Sequence, residues 1–169
     1  MGLAPILLSW PWVVAVGGVT AGMHGFSPAL TSFVGRADAV GEVAGLLGEC
    51  RLVTVTGPGG VGKTRLAGEV AGRVVSRFAD GVWLVELAAV TDPARVPSTV
   101  AAVLGVRELP GVPVSDSLAA ALAGQQMLLV LDNCEHVVVA VAELCGALLP
   151  AADDVRVLAT SREPVGVSG

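Results

Sequence analysis

Gly57-Pro58-Gly59-Gly60-Val61-Gly62-Lys63-Thr64 is the stretch on which the reading of this chain turns. It fits the pattern GxxxxGK[ST]. Residues 51–56 before it alternate and are rich in β-branched side chains, which predicts a strand. Behind it, Leu66, Val70 and Val74 fall on one face of a helix spanning residues 63–78, despite Gly68 and Gly72. A strand, a glycine-rich loop and a helix in that order form a phosphate cradle. The glycines permit backbone angles and close approaches that a side chain would block. The loop's N–H groups then form an anion-binding nest, and the helix adds its positive dipole end.

The rest of the chain repeats the alternation. Residues 37–48 carry Val40, Val43, Leu46 and Leu47 at helical spacing. A second strand is predicted over residues 82–87. A helix should follow from Asp92-Pro93 to about Leu104, with Asp as cap and Pro at the first helical position. Ser115 or Asp116 can cap a short helix to Ala123, and residues 127–131 form a continuous apolar run suited to a buried parallel strand. A helix over residues 135–149 and a fourth strand over residues 155–159 complete the series. The fold expected is α/β: a three-layer P-loop NTPase with a mostly parallel sheet.

The cradle fits ATP or ADP with Mg2+. Gly57, Pro58, Gly59, Gly60, Val61, Gly62, Lys63 and Thr64 are the expected phosphate-binding residues, Lys63 reaching the β- and γ-phosphates and Thr64 the metal. Lys63 is the chain's one lysine, beside nine arginines. A second acid is needed to hold magnesium at the end of an apolar strand. Leu128-Leu129-Val130-Leu131-Asp132 supplies it, with Thr64 and Asp132 as the metal pair. The next residue, Asn133, is neutral and cannot take a proton, so slow hydrolysis is expected. Glu135 is the nearest acid that could orient water; the alternative is that it opens the following helix, where an acid suits the dipole. Arg162, after the fourth strand, lies on the edge where ligands bind in parallel sheets and can sense a γ-phosphate. The alternative is a surface arginine paired with Glu163.

Composition narrows the function classes. The 169 residues carry a net charge of -5, with 53% hydrophobic and 15% charged side chains. No basic stripe is available to neutralise nucleic-acid phosphates, so direct binding of nucleic acid by this chain is not expected. Cys50, Cys134 and Cys145 form no CxxC pair and read as reduced thiols of a cytoplasmic protein. Cys134 and His136 alone do not make a zinc site. Residues 1–35 contain no Asp, Glu, Lys or Arg. Residues 3–23 are long enough to span a bilayer, but Pro5, Pro11, Gly17 and Gly18 interrupt them and no basic flank sets an orientation. Residues 1–30 are therefore expected to be a poorly ordered apolar extension rather than a membrane anchor, with ordered structure from about Ser32 and the domain spanning residues 31–169.

Four motifs in order carry a resemblance: Phe33-Val34-Gly35-Arg36, GPGGVGKTRLA from Gly57, LLVLDNCEH from Leu128 and LATSREP from Leu158. Together they resemble the STAND-class (NB-ARC-like) signalling ATPases, nearest to the ATPase domain within large bacterial LuxR-type and SARP-type transcriptional regulators. The resemblance covers residues 30–164. It implies that Val34 and Arg36 lie near adenine and ribose, that Gly57 to Thr64 hold the phosphates, Asp132 the magnesium, and that Arg162 reads the γ-phosphate. It also implies a switch, inactive with ADP and active with ATP, coupled to other regulator domains or chains. Ala37 stands where the family usually has an acid. The resemblance ends after the sensor-1 region, without the family's fifth strand, lid and winged helix, so residues 51–56 are expected to lack an outer neighbour. A metabolic P-loop kinase and a non-functional remnant are the competing readings. Neither an LSGGQ-like nor an NKxD sequence points to a transporter ATPase or a GTPase.

Overall fold

The computed structural model describes residues 22–27 and 37–166. Their strands are β1 (Met23–His24), β2 (Leu52–Thr56), β3 (Val82–Glu86), β4 (Leu128–Asp132) and β5 (Arg156–Ser161). Their helices are α1 (Ala37–Glu49), α2 (Lys63–Val74), α3 (Val96–Leu104), α4 (Val114–Leu122) and α5 (Val138–Leu148). The strands form one sheet in the order β1-β3-β4-β5-β2, with every pairing parallel. This is the α/β architecture expected from the alternation of strands and helices.

Alternation along each strand sorts the core into two layers. Val53, Val82, Leu128, Val130 and Leu158 face α1 and α2, where they meet Leu47, Leu66, Val70 and Val74. Val85, Leu129, Leu131, Val157 and Ala159 face α3, α4 and α5, meeting Val100, Leu118, Val141 and Leu144. All five residues of β4 are buried, as its unbroken apolar run requires. The interior arrangement puts the carboxyl ends of β2, β4 and β5 side by side.

Three expectations are revised. Ordered structure does not begin near Ser32, because Met23–His24 pairs with Val82 and Trp83 at the edge of the sheet. The His24 ring stacks on Trp83 with centroids 4.0 Å apart. Gly81 lets this strand approach: its φ is +85°, and a Cβ there would lie 2.8 Å from the Gly22 carbonyl oxygen. Glu135 does not open a helix. It lies in a 3-10 turn over Cys134–His136, and α5 starts only at Val138. The chain turns at Asn133, which is left-handed (φ 61°), and His136 Nε2 contacts the carbonyls of Leu87 and Val90 at 3.0 and 2.9 Å. The helix predicted from Asp92 likewise opens as a 3-10 turn over Pro93–Arg95, with Asp92 accepting a hydrogen bond from the Ala94 N–H at 3.0 Å, before α3 begins.

At the opposite edge, β2 pairs with β5 alone among the described residues. Most of residues 3–23 lie outside the described residues. Within those described, no helix is long and apolar enough to cross a membrane.

Two of the three thiols are sealed in the core. Burial pushes Cys134 from 9.0 up to about 12, with the charges of Cys145, Asp132 and Glu135 adding to it. Burial alone pushes Cys145 to about 12. Cys50 is exposed. A thiol reagent at pH 8 should therefore label one cysteine in the native chain and all three after denaturation. Between pH 9 and about 12 the unfolded chain loses thiol protons that the folded chain keeps. The thiol contribution to stability is full below pH 9 and falls as pH rises through that window. Denaturant titrations at stepped pH would show it; rapid native labelling of Cys145 would contradict this packing.

Candidate functional site

The loop from Gly57 to Gly62 joins the end of β2 to α2. Gly60 and Gly62 have φ of +79° and +83°, left-handed angles that side chains rarely adopt. The loop therefore needs glycine at these positions for its own shape. Lys63 opens α2 and is only 8% exposed. Its ammonium folds back across the loop and donates to the carbonyl oxygens of Gly57 at 2.7 Å and Pro58 at 3.0 Å. An ammonium has three protons, so one donor remains for a further acceptor.

One turn into the site, Thr64 Oγ1 donates to both oxygens of Asp132, at 2.9 and 2.8 Å. Asp132 is 1% exposed and ends β4. A buried carboxylate is costly unless hydrogen-bonded, and a third group meets that requirement. Thr160, fully buried on β5, donates its hydroxyl to Asp132 Oδ1. The same Thr160 oxygen accepts from the Asn133 N–H at 3.0 Å. Thr160 thus fixes both the carboxylate and the left-handed residue behind it. Sequence reasoning passed over Thr160, although a hydroxyl residue two positions before Arg162, at the end of an apolar strand, was a readable signal.

Arg162 leaves the end of β5 and lies against the loop. A Cβ added to Gly59 would be 3.5 Å from its Nη2. Its Nε is 3.5 Å from Glu135 Oε1, so its carboxylate partner is Glu135 and not Glu163. The other Glu135 oxygen, Oε2, is shielded from solvent and accepts no hydrogen bond. The structure therefore brings together Gly57 to Thr64, Asp132, Glu135 and Arg162. Val34 and Arg36 lie outside the described residues.

The residues present fit a nucleotide phosphate chain and a hard cation. Hydroxyl and carboxylate oxygens are the donors magnesium takes, and two protein ligands leave room for water and phosphate oxygens. Cys134 and His136 do not converge: Cys134 Sγ donates to the Leu131 carbonyl at 3.3 Å, while His136 turns to the loop after β3. Among the described residues no group of three His, Cys, Asp or Glu side chains could hold a metal.

A family model described as the NB-ARC domain matches residues 36–168. The chain belongs to the NB-ARC domain family. An uncharacterized protein of Mycobacterium tuberculosis is 38% identical over 168 residues, 99% of this chain and 41% of that protein. A putative HTH-type transcriptional regulator of the same organism is 46% identical over 124 residues, 73% of this chain and 14% of the regulator. The chain thus spans less than half the length of these relatives. Among solved structures, Cdc6p from Pyrobaculum aerophilum superposes with a TM-score of 0.61 at 15% identity, covering 82% of this chain and 41% of that one. The ORC2 protein of Aeropyrum pernix, in ADPNP–ADP complexes, gives 0.58 at 16% identity, covering 82% and 43%. At such identities the likeness is one of fold: this NB-ARC domain shares the P-loop ATPase architecture.

Replacing Thr160 by Val keeps its shape and removes its hydroxyl. The Asn133 N–H then has no acceptor, and Thr160→Val should cost about 1–3 kcal/mol of unfolding free energy. Thr160→Ser should cost clearly less. Urea titrations of the two variants check this, and equal stabilities would mean that the hydroxyl holds nothing.

Proposed function

We propose that this NB-ARC domain is the nucleotide switch of a transcriptional regulator, binding ADP in one state and ATP in the other, each with Mg2+. The observation that carries the reading is the convergence at the strand ends of a buried Lys63 on a glycine loop with the Thr64–Asp132 pair. Gly57, Pro58, Gly59, Gly60, Val61 and Gly62 would cradle the phosphates through their backbone, with Lys63 supplying the compact positive charge. Thr64 and Asp132 would hold Mg2+, which neutralises phosphate charge when bound. Val34 and Arg36 keep their assignment near adenine and ribose from the family resemblance.

Arg162 supplies the discrimination between the two states. Its guanidinium already lies beside Gly59, and its pairing with Glu135 is mostly open to solvent on the arginine side, which is 66% exposed. An exposed ion pair of this kind is worth little, about 0–1 kcal/mol. A γ-phosphate can therefore draw Arg162 away, whereas a diphosphate leaves the pair in place. The neutral Asn133 next to Asp132 favours slow turnover, as suits a switch that must hold its state. The likeness to a putative HTH-type regulator supports placement in a LuxR-type or related regulator acting in the cytoplasm, with other regulator domains or chains as partners. The unit would comprise residues 31–169 together with the edge strand Met23–His24.

Calorimetric titration with Mg2+-ADP and Mg2+-ATP tests the reading. Wild type should bind both. Lys63→Ala removes charge-assisted hydrogen bonds and should weaken binding by about 2–4 kcal/mol, roughly 30- to 1,000-fold. GTP should compete poorly. A folded wild type that binds neither adenine nucleotide would overturn the switch for this chain.

A further inference from the structure

The strand ends carry a further acid beyond Asp132 and Glu135. Glu86 is the last residue of β3. It lies in register with Asp132 across the parallel pairing of β3 and β4, and the Leu87 N–H donates to the Asp132 carbonyl at 2.9 Å, which holds the two strand ends level. Val82 and Leu84 pack on the α1–α2 side of the sheet, as do Leu128 and Val130. The two-residue repeat therefore puts Glu86 and Asp132 on that same side, the side of α2 and the glycine loop. Adjacent strands are about 4.8 Å apart. The two acids differ in one respect: Asp132 is buried and bound by two hydroxyls, while Glu86 is exposed.

We propose that Glu86 is the general base for ATP hydrolysis at this site, a role that rests on the nucleotide reading above. Neither neighbour of Asp132 is as well suited: Asn133 has a neutral amide, and Glu135 turns Oε1 to Arg162 while its Oε2 is shut off from solvent, whereas Glu86 is open to water. Two carboxylates in different environments take different tasks: the buried, hydroxyl-bound Asp132 for the cation, the solvent-reaching Glu86 for the water. In the step, Glu86 accepts a proton from water as the water oxygen bonds to the γ-phosphorus. The bond from that phosphorus to the β–γ bridging oxygen breaks, giving ADP and inorganic phosphate. Glu86 then returns the proton to phosphate or solvent.

The test uses the full chain as wild type, Glu86→Gln and Glu135→Gln, with two readouts: single-turnover hydrolysis of Mg2+-ATP under excess protein, and calorimetric binding of Mg2+-ADP. Loss of a positioned base should slow the Glu86→Gln turnover by roughly 10²- to 10⁴-fold, while its Mg2+-ADP affinity stays within about threefold of wild type, a shift of under about 0.7 kcal/mol. Glu135→Gln should keep more of the turnover than Glu86→Gln. Three results overturn the assignment while leaving nucleotide binding intact: wild-type turnover in Glu86→Gln, a larger loss in Glu135→Gln, or no turnover by a wild type that binds. Mg2+-ADP affinity falling in Glu86→Gln by more than about tenfold, or 1.4 kcal/mol, would make Glu86 a cation ligand and also overturn it. A wild type that fails to bind at all removes the underlying reading itself, and calorimetry shows that before any rate is measured.

Discussion

Asp132 is the constraint around which the site is built. A carboxylate that is 1% exposed must have its lone pairs met by donors. The donors come from two different elements: Thr64 from the first turn of α2 and Thr160 from β5. For both to arrive, β5 must lie beside β4, and the loop must deliver α2 onto the same side of the sheet. The strand order meets both demands by inserting β5 between β2 and β4. That insertion also brings Arg162, just past the end of β5, against Gly59 of the loop. The positions of Arg162, the loop and the acid are thus consequences of one strand order.

The glycine loop, the alternation around it and the apolar run ending at Asp132 were legible because local physics dictates each of them. The left-handed angles at Gly60 and Gly62 admit few residues other than glycine, and a fully buried strand can hardly be other than apolar. Glu135 and Glu163 were harder. Both lie near Arg162 in a plausible fold, and the choice between them depends on where a turn points. Asn133 decides it by turning left-handed, a conformation asparagine tolerates but does not announce. The 3-10 turn that follows carries Glu135 to the arginine and delays α5 to Val138.

Long-range register was the least legible. Nothing local in Met23–His24 marks it as a strand: two residues have no periodicity, and their neighbours are glycines. What holds them is the edge of β3, a Trp83 ring for His24 to lie on, and the bare α-carbon of Gly81. Thr160 and Glu86 are similar cases. Each sits at the carboxyl end of a largely apolar strand, and which acid or amide it meets is set by the strand alongside.

The burial of Lys63 has a consequence for how this domain can be observed. The chain carries a single lysine, and the fold has folded its ammonium under the loop against two carbonyls. Amine-directed chemistry, whether acylation in a cell or an isotopic tag at the bench, finds one side-chain target here, and that target lies on the glycine loop. Its reactivity would report on whatever opens or covers the loop, with no second lysine to share the signal.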